Sequence, residues 1–194
     1  RGGIRLQSLI RGERDLGLQS LWHRTKGAIH LIGVNSTLLT LPLFLPEADP
    51  AEIPAWEERR VRHREEIQNI FRGIPDSDRI LLFCHDPGAL GELAQLPEVQ
   101  ARLGQIVQTV LGHLHAPPLL KAAQWMARLP DWSPRYPVAR IIAQSIRSAK
   151  TWTAFRPVVC PATFGTGHLL SGGMLFLDVD DHRFHLEYRR FPRG

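Results

Sequence analysis

Ile80-Leu81-Leu82-Phe83-Cys84-His85-Asp86-Pro87 and Ile106-Val107-Gln108-Thr109-Val110-Leu111-Gly112-His113-Leu114-His115 decide the fold, because each apolar run ends in histidine. Both runs are rich in β-branched and aliphatic residues and are stopped by Pro or Gly, which predicts two short buried strands. Between them, residues 87–103 carry helical spacing: Leu90, Leu93, Ala94 and Leu96 fit a first piece, and Val99 and Leu103 a second. Strand, helix and strand in that order make a βαβ unit, whose two strands run parallel. Parallel strands bring their carboxyl ends to one edge of the sheet, the edge at which open α/β sheets bind ligands. His85, His113 and His115 are therefore expected to meet there.

The spacing within the second run adds to this expectation. In an extended backbone residues i and i+2 point to the same side, so His113 and His115 face one ligand while Leu114 packs away. Neutral imidazole is the commonest metal ligand. Three imidazoles at one sheet edge suffice for a zinc-type site with a position left open for water. A lone histidine is ordinarily a partly buried side chain; it is the convergence of three that favours a metal.

These segments resemble motifs of the calcineurin-like metallophosphoesterase family. Phe83-Cys84-His85-Asp86-Pro87 resembles the family's strand, His, x, Pro motif, and Gly112-His113-Leu114-His115 its Gly-His-x-His motif. Gly33-Val34-Asn35-Ser36-Thr37 is similar to the strand end that precedes them, and Gln68 to Phe71 with Pro75 and Asp76 is similar to the helix end leading into the first His strand. The resemblance covers roughly residues 27–190. It implies an α/β sandwich with mixed sheets and flanking helices, and hydrolysis of a phosphomonoester or phosphodiester. It also implies a dinuclear site of Mn, Fe or Zn, in which His85 and His113 ligate one metal and His115 the other.

The family's Asp-x-His, Gly-Asp-x-x-Asp and Gly-Asn-His motifs, which supply carboxylates and an Asn ligand, are absent from residues 1–194. The chain is accordingly expected to be the C-terminal half of such a domain and to lack a complete active site by itself. With imidazoles and no assigned carboxylate, zinc is the cation expected for this chain alone, since hard cations prefer oxygen ligands. The expected partners are a phosphoester substrate and either the missing N-terminal half or further copies of the chain. Asp86, next to His85 in an extended segment, points the other way and reads as a turn residue. A Cys84/His85 nucleophile is a further reading that the pair invites, and the weaker one.

Composition agrees with a single domain holding a sizeable core, at 194 residues and 43% hydrophobic content. The formal charge is 24 minus 19, or +5. Its densest basic run, Glu57 to Glu66, interleaves both signs at helical spacing and reads as a solvated face that includes His63, with Trp56, Val61, Ile67, Ile70 and Phe71 on the buried side. Nucleic acid is therefore not an expected partner, and no RNA-binding motif is present. A basic nucleic-acid-binding domain ranks below the other alternative, a non-catalytic remnant serving as a binding module. Cys84 and Cys160 read as reduced, buried thiols. The stretch from Ala28 to Pro46 is too polar to span a bilayer, so the expectation is a soluble cytoplasmic protein with no membrane partner.

Elsewhere, residues 1–26 are weakly patterned and are expected to be poorly ordered if their partner half is absent. Pro42, Pro46, Pro50 and Pro54 mark residues 42–54 as a surface loop, and residues 116–156 read as a helical insertion within the domain portion 27–194. The C-terminal third is β-rich, with a strand at residues 156–160 and a hairpin over residues 173–190 that turns at Asp180-Asp181-His182 and leaves His185 in solvent.

Overall fold

The two histidine-bearing runs form parallel neighbouring strands in the computed structural model, which describes residues 5–112, 121–122, 125, 149–161, 172–181 and 183–191. In chain order the elements are α1 (Leu6–Leu16), β1 (Leu21–Lys26), β2 (Ile29–Val34), α2 (Ser36–Leu39), α3 (Leu41–Phe44), α4 (Ile53–Arg72), β3 (Arg79–Cys84), α5 (Gly88–Leu93), α6 (Pro97–Ala101), β4 (Ile106–Leu111), β5 (Pro157–Val159), β6 (Gly173–Val179) and β7 (Phe184–Arg190). The chain is an α/β protein, with a mixed sheet flanked by helices. β1 to β5 lie side by side in sequence order; β1 is antiparallel to β2, and β2, β3, β4 and β5 are mutually parallel. β6 and β7 pair as a separate antiparallel hairpin.

Alternation along the strands sorts the sheet into two faces. Ile32, Val34, Leu82, Cys84, Leu111 and Val159 point to one face, where they are buried in one cluster with Ile67 and Phe71 of α4, Leu90 and Leu93 of α5, Val99, Trp152 and Phe155. Burial of this kind contributes roughly 25 cal/mol per Å² of apolar surface and is what holds the crossover helices to the sheet. On the opposite face the register aligns Trp22, Gly33, Phe83, Val110 and Val158 in one row across all five strands.

The N-terminal segment is ordered where the sequence suggested little pattern. Residues 6–16 are helical, and Gly17, at φ +63°, ends the helix in a left-handed cap; the N–H groups of Gly17 and Leu18 both reach Gly12 O. A left-handed residue closing a helix in this way is most often glycine, which adopts positive φ at no steric cost. α1 is anchored by Leu6, which joins Leu38, Leu41 and Trp56 in a second apolar cluster, and by a hydrogen bond of 2.9 Å from Leu6 N to Glu52 Oε2. The proline-marked stretch is likewise not a plain loop: α3 and a 3₁₀ turn over Leu45–Glu47 occupy its first half, and α4 begins at Ile53 with Pro54 in its first turn, where the missing N–H costs nothing.

The α4 stripe also differs from expectation. His63 is 2% exposed and lies in the buried set with Trp56, Ile67 and Phe71, whereas Val61 is 51% exposed. Positions 56, 63, 67 and 71 follow the seven- and four-residue steps of one helix face, and Val61 falls off that face. The hairpin matches its expected bounds, with His185 exposed. It meets the β1–β2 turn through Ala28 N to Asp181 O at 3.0 Å and a Lys26–Asp181 ion pair at 3.3 Å. Gly27 sits in that turn at φ +54°, and a Cβ there would lie 2.2 Å from Asp181 O, so only glycine fits. Most of the expected 116–156 insertion lies outside the described residues; its end is helical over residues 149–152.

Candidate functional site

The ends of β2, β3, β4 and β5 line up along one edge as Asn35, His85, Gly112 and Cys160. Gly112 N–H, just past the end of β4, lies 3.1 Å from both Cys84 O and His85 O. The imidazole of His85 packs onto Gly112 so closely that a Cβ there would lie 2.9 Å from His85 Cδ2. His85 itself is exposed. His113 and His115, the other expected ligands, lie outside the described residues; His113 is bonded directly to the glycine that His85 covers.

Around His85 the local chemistry is fixed by short-range hydrogen bonds. Asp86 Oδ1 accepts from Gly88 N–H at 2.7 Å, which makes Asp86 a turn residue capping the start of α5, and Ser36 Oγ accepts from Asp86 N–H at 3.2 Å. Asn35 Oδ1 accepts from Thr37 and Leu38 N–H at 3.0 and 3.3 Å, as an N-cap does. Both residues are therefore committed to shaping the strand-to-helix corners. Cys84 is buried, and burial, aided by the Asp86 charge, pushes its thiol up to about 12. A buried thiol held protonated at neutral pH is a poor nucleophile, which counts against the Cys84/His85 nucleophile. Cys84 and Cys160 are both free. Among the described residues no three His, Cys, Asp or Glu side chains converge as a metal-binding group, so the described part of the edge offers His85 as its imidazole donor.

Beside His85 opens a pocket of about 640 Å³, within the range of small-molecule sites. Its floor is aromatic: Trp22 and Phe83 lie 5.4 Å apart between ring centroids at 38°. Gly33 makes that floor possible, since a Cβ there would fall 2.0 Å from Trp22 Nε1. α1 forms the roof, presenting Leu9 and Gly12. A polar string ties roof to sheet edge: Arg59 donates to Glu13 Oε2 at 2.8 Å, Ser20 Oγ to Glu13 Oε1 at 2.6 Å, and Asn35 N–H to Ser20 O at 2.8 Å. Burial works to raise the Glu13 carboxyl, but the Ser20 hydrogen bond and the Arg59 charge outweigh it and hold the group below its ordinary value. Glu13 therefore stays ionised and keeps α1 in place at neutral pH.

Reading the sequence missed this pocket, because its roof falls in the segment taken as weakly patterned. It also missed a chain of titratable groups away from the edge, where His23 Nε2 meets His30 Nδ1 at 2.8 Å and His30 Nε2 meets Asp78 Oδ2 at 2.9 Å. The signal lay in a two-strand hairpin with one histidine on each strand, seven residues apart. Among the described residues, no helix is long and apolar enough to cross a membrane. Compared with known proteins, the chain matches no family model, no curated protein and no solved structure.

Proposed function

We propose that this chain carries the imidazole half of a metal-dependent phosphoesterase site, acting on a phosphomonoester or phosphodiester. The observation that supports the reading is the seating of the His85 ring on Gly112, which brings the two histidine motifs within one peptide of each other. His85 and His113 would hold one divalent cation and His115 a second, following the family resemblance. Imidazole nitrogen suits zinc. A bound cation of this kind supplies Lewis acidity and a hydroxide nucleophile near neutral pH.

The chain's own residues contribute position rather than charge. Gly112 lets His85 approach the β4 end, Asn35 and Asp86 hold the corners open, and the protonated Cys84 thiol adds no competing anion. The formal charge of +5 favours encounter with an anionic ester. The carboxylates of a complete dinuclear centre would come from the N-terminal half, or from a second copy of the chain. The same proposal places the protein in the cytoplasm, where thiols such as Cys84 and Cys160 stay reduced.

Metal analysis after loading with Zn²⁺ and desalting tests the reading. One or more zinc ions retained per chain, and lost in a His85/His113/His115 triple alanine variant, supports it. A chain that retains no zinc, or a variant that retains as much as the parent, overturns it.

A further inference from the structure

We infer that the pocket between α1 and the sheet binds the alcohol portion of the phosphoester, and that this portion is flat and apolar, an aryl group or its equivalent. The inference rests on the phosphoesterase reading for the phosphate and adds the class of its ester group.

The pocket's composition changes along its length. At the sheet-edge end stands His85, with Asn35 and Ser20 beside it; away from that end the walls are Trp22, Phe83, Val110 and Leu9. A phosphoryl group at His85 therefore directs its ester substituent onto the Trp22–Phe83 floor. Two rings 5.4 Å apart and tilted by 38° offer a broad π surface to a planar guest, whose stacking adds to simple burial. Among the described lining residues the carboxylate is Glu13, which is ion-paired with Arg59 and hydrogen-bonded by Ser20, so an uncharged guest meets no unpaired charge there. A sugar or a short polar alcohol would leave hydroxyls facing this aromatic floor without partners, which selects against it.

Gly12 provides a clean test. It lies mid-helix in α1 and lines the pocket, and a Cβ there would meet only Leu18 Cδ1, at 3.4 Å. Gly12→Leu therefore fills the pocket from its roof while replacing a poor helix former by a good one. The full chain, zinc-loaded and metal-free, is titrated with 1-naphthol, 1-naphthyl phosphate and inorganic phosphate. The expected result is naphthol binding without metal, and naphthyl phosphate binding to the zinc form on the order of tenfold or more tighter than phosphate. Gly12→Leu abolishes both effects, leaves zinc uptake and phosphate binding unchanged, and does not lower the Tm. If the zinc form binds phosphate and naphthyl phosphate equally, or if Gly12→Leu binds naphthol as the parent does, the pocket assignment is overturned and the metal-site reading stands. Naphthol binding by a chain that takes up no zinc overturns the phosphoester assignment instead.

Discussion

His23 and His30 share a hydrogen bond of 2.8 Å between Nε2 of the first ring and Nδ1 of the second, and His30 passes the contact on to Asp78 at 2.9 Å. His30 is 7% exposed and bridges β1, β2 and the entry to β3. With Asp78 ionised and accepting, His30 carries its proton on Nε2 and presents a lone pair at Nδ1 to the His23 N–H. Two charged imidazoles cannot keep this chain, because both facing nitrogens would then be donors.

The pH dependence follows from the burial of His23 rather than from that bond, which a protonated His23 would still donate. Burial, with the nearby His30 as a second cause, lowers the His23 value below its ordinary 6.5. A depressed histidine binds fewer protons folded than unfolded, so stability is full above the unfolded value and falls as pH drops below it. Thermal melts between pH 8 and pH 5 should show Tm falling with acidity, and His23→Gln should flatten the part of that fall that belongs to β1. An unchanged slope in the variant would assign the acid sensitivity elsewhere.

His63 gives a larger effect of the same sign. Its burial pushes the imidazole down to about 4 from an ordinary 6.5, against a smaller upward pull from the Asn35 backbone. The Asn35 backbone lies near the ring but outside hydrogen-bonding geometry, so neither buried ring nitrogen gains a full hydrogen bond from it. Charging it between those two values costs about 3 kcal/mol, at 1.36 kcal/mol per unit. His63→Leu should remove that loss at pH 4.5 and leave stability at pH 7 equal or higher, since no hydrogen bond is given up. Urea unfolding at the two pH values measures both.

How far the sequence could be read depended on which contacts make each feature. The βαβ unit from β3 to β4 was legible because Leu82, Leu90, Leu93 and Val99 repeat at the periods of a strand and a helix. Asp86 as a turn residue was legible because its partner, Gly88 N–H, lies two residues away. His63 was misread because charged neighbours masked a seven-residue step from Trp56 that was there to be counted. α1 was missed because its stability lies in long-range partners, Glu52 to Leu6 and Arg59 to Glu13, which no local window contains. The pocket was out of reach for the same reason, since α1 is its roof.

Gly33 supports the aromatic floor by the absence of a side chain. Gly33→Ala places a methyl 2.0 Å from Trp22 Nε1 and must displace the indole. Overpacking of this kind costs about 1–3 kcal/mol. The double variant Gly33→Ala/Trp22→Val should recover part of that loss, because the clash leaves with the indole. Guanidinium melts of the two singles and the double form a cycle; additive losses would show that the indole is not what the methyl meets.

Gly112→Ala acts at the sheet edge where the proposed metal would sit. The new Cβ would lie 2.9 Å from His85 Cδ2 and 3.5 Å from His85 Cα, so the ring must tilt away from the β4 end. His85 is exposed and the tilt is inexpensive for the fold. Its consequence falls on ligation, where disturbing the support of a metal ligand typically costs about 10–100-fold in affinity. Zinc titration against a competing chelator should show that loss while the Tm of the metal-free chain moves little. A variant that binds zinc as the parent does would mean that the contact between His85 and Gly112 is packing alone and sets no ligand geometry.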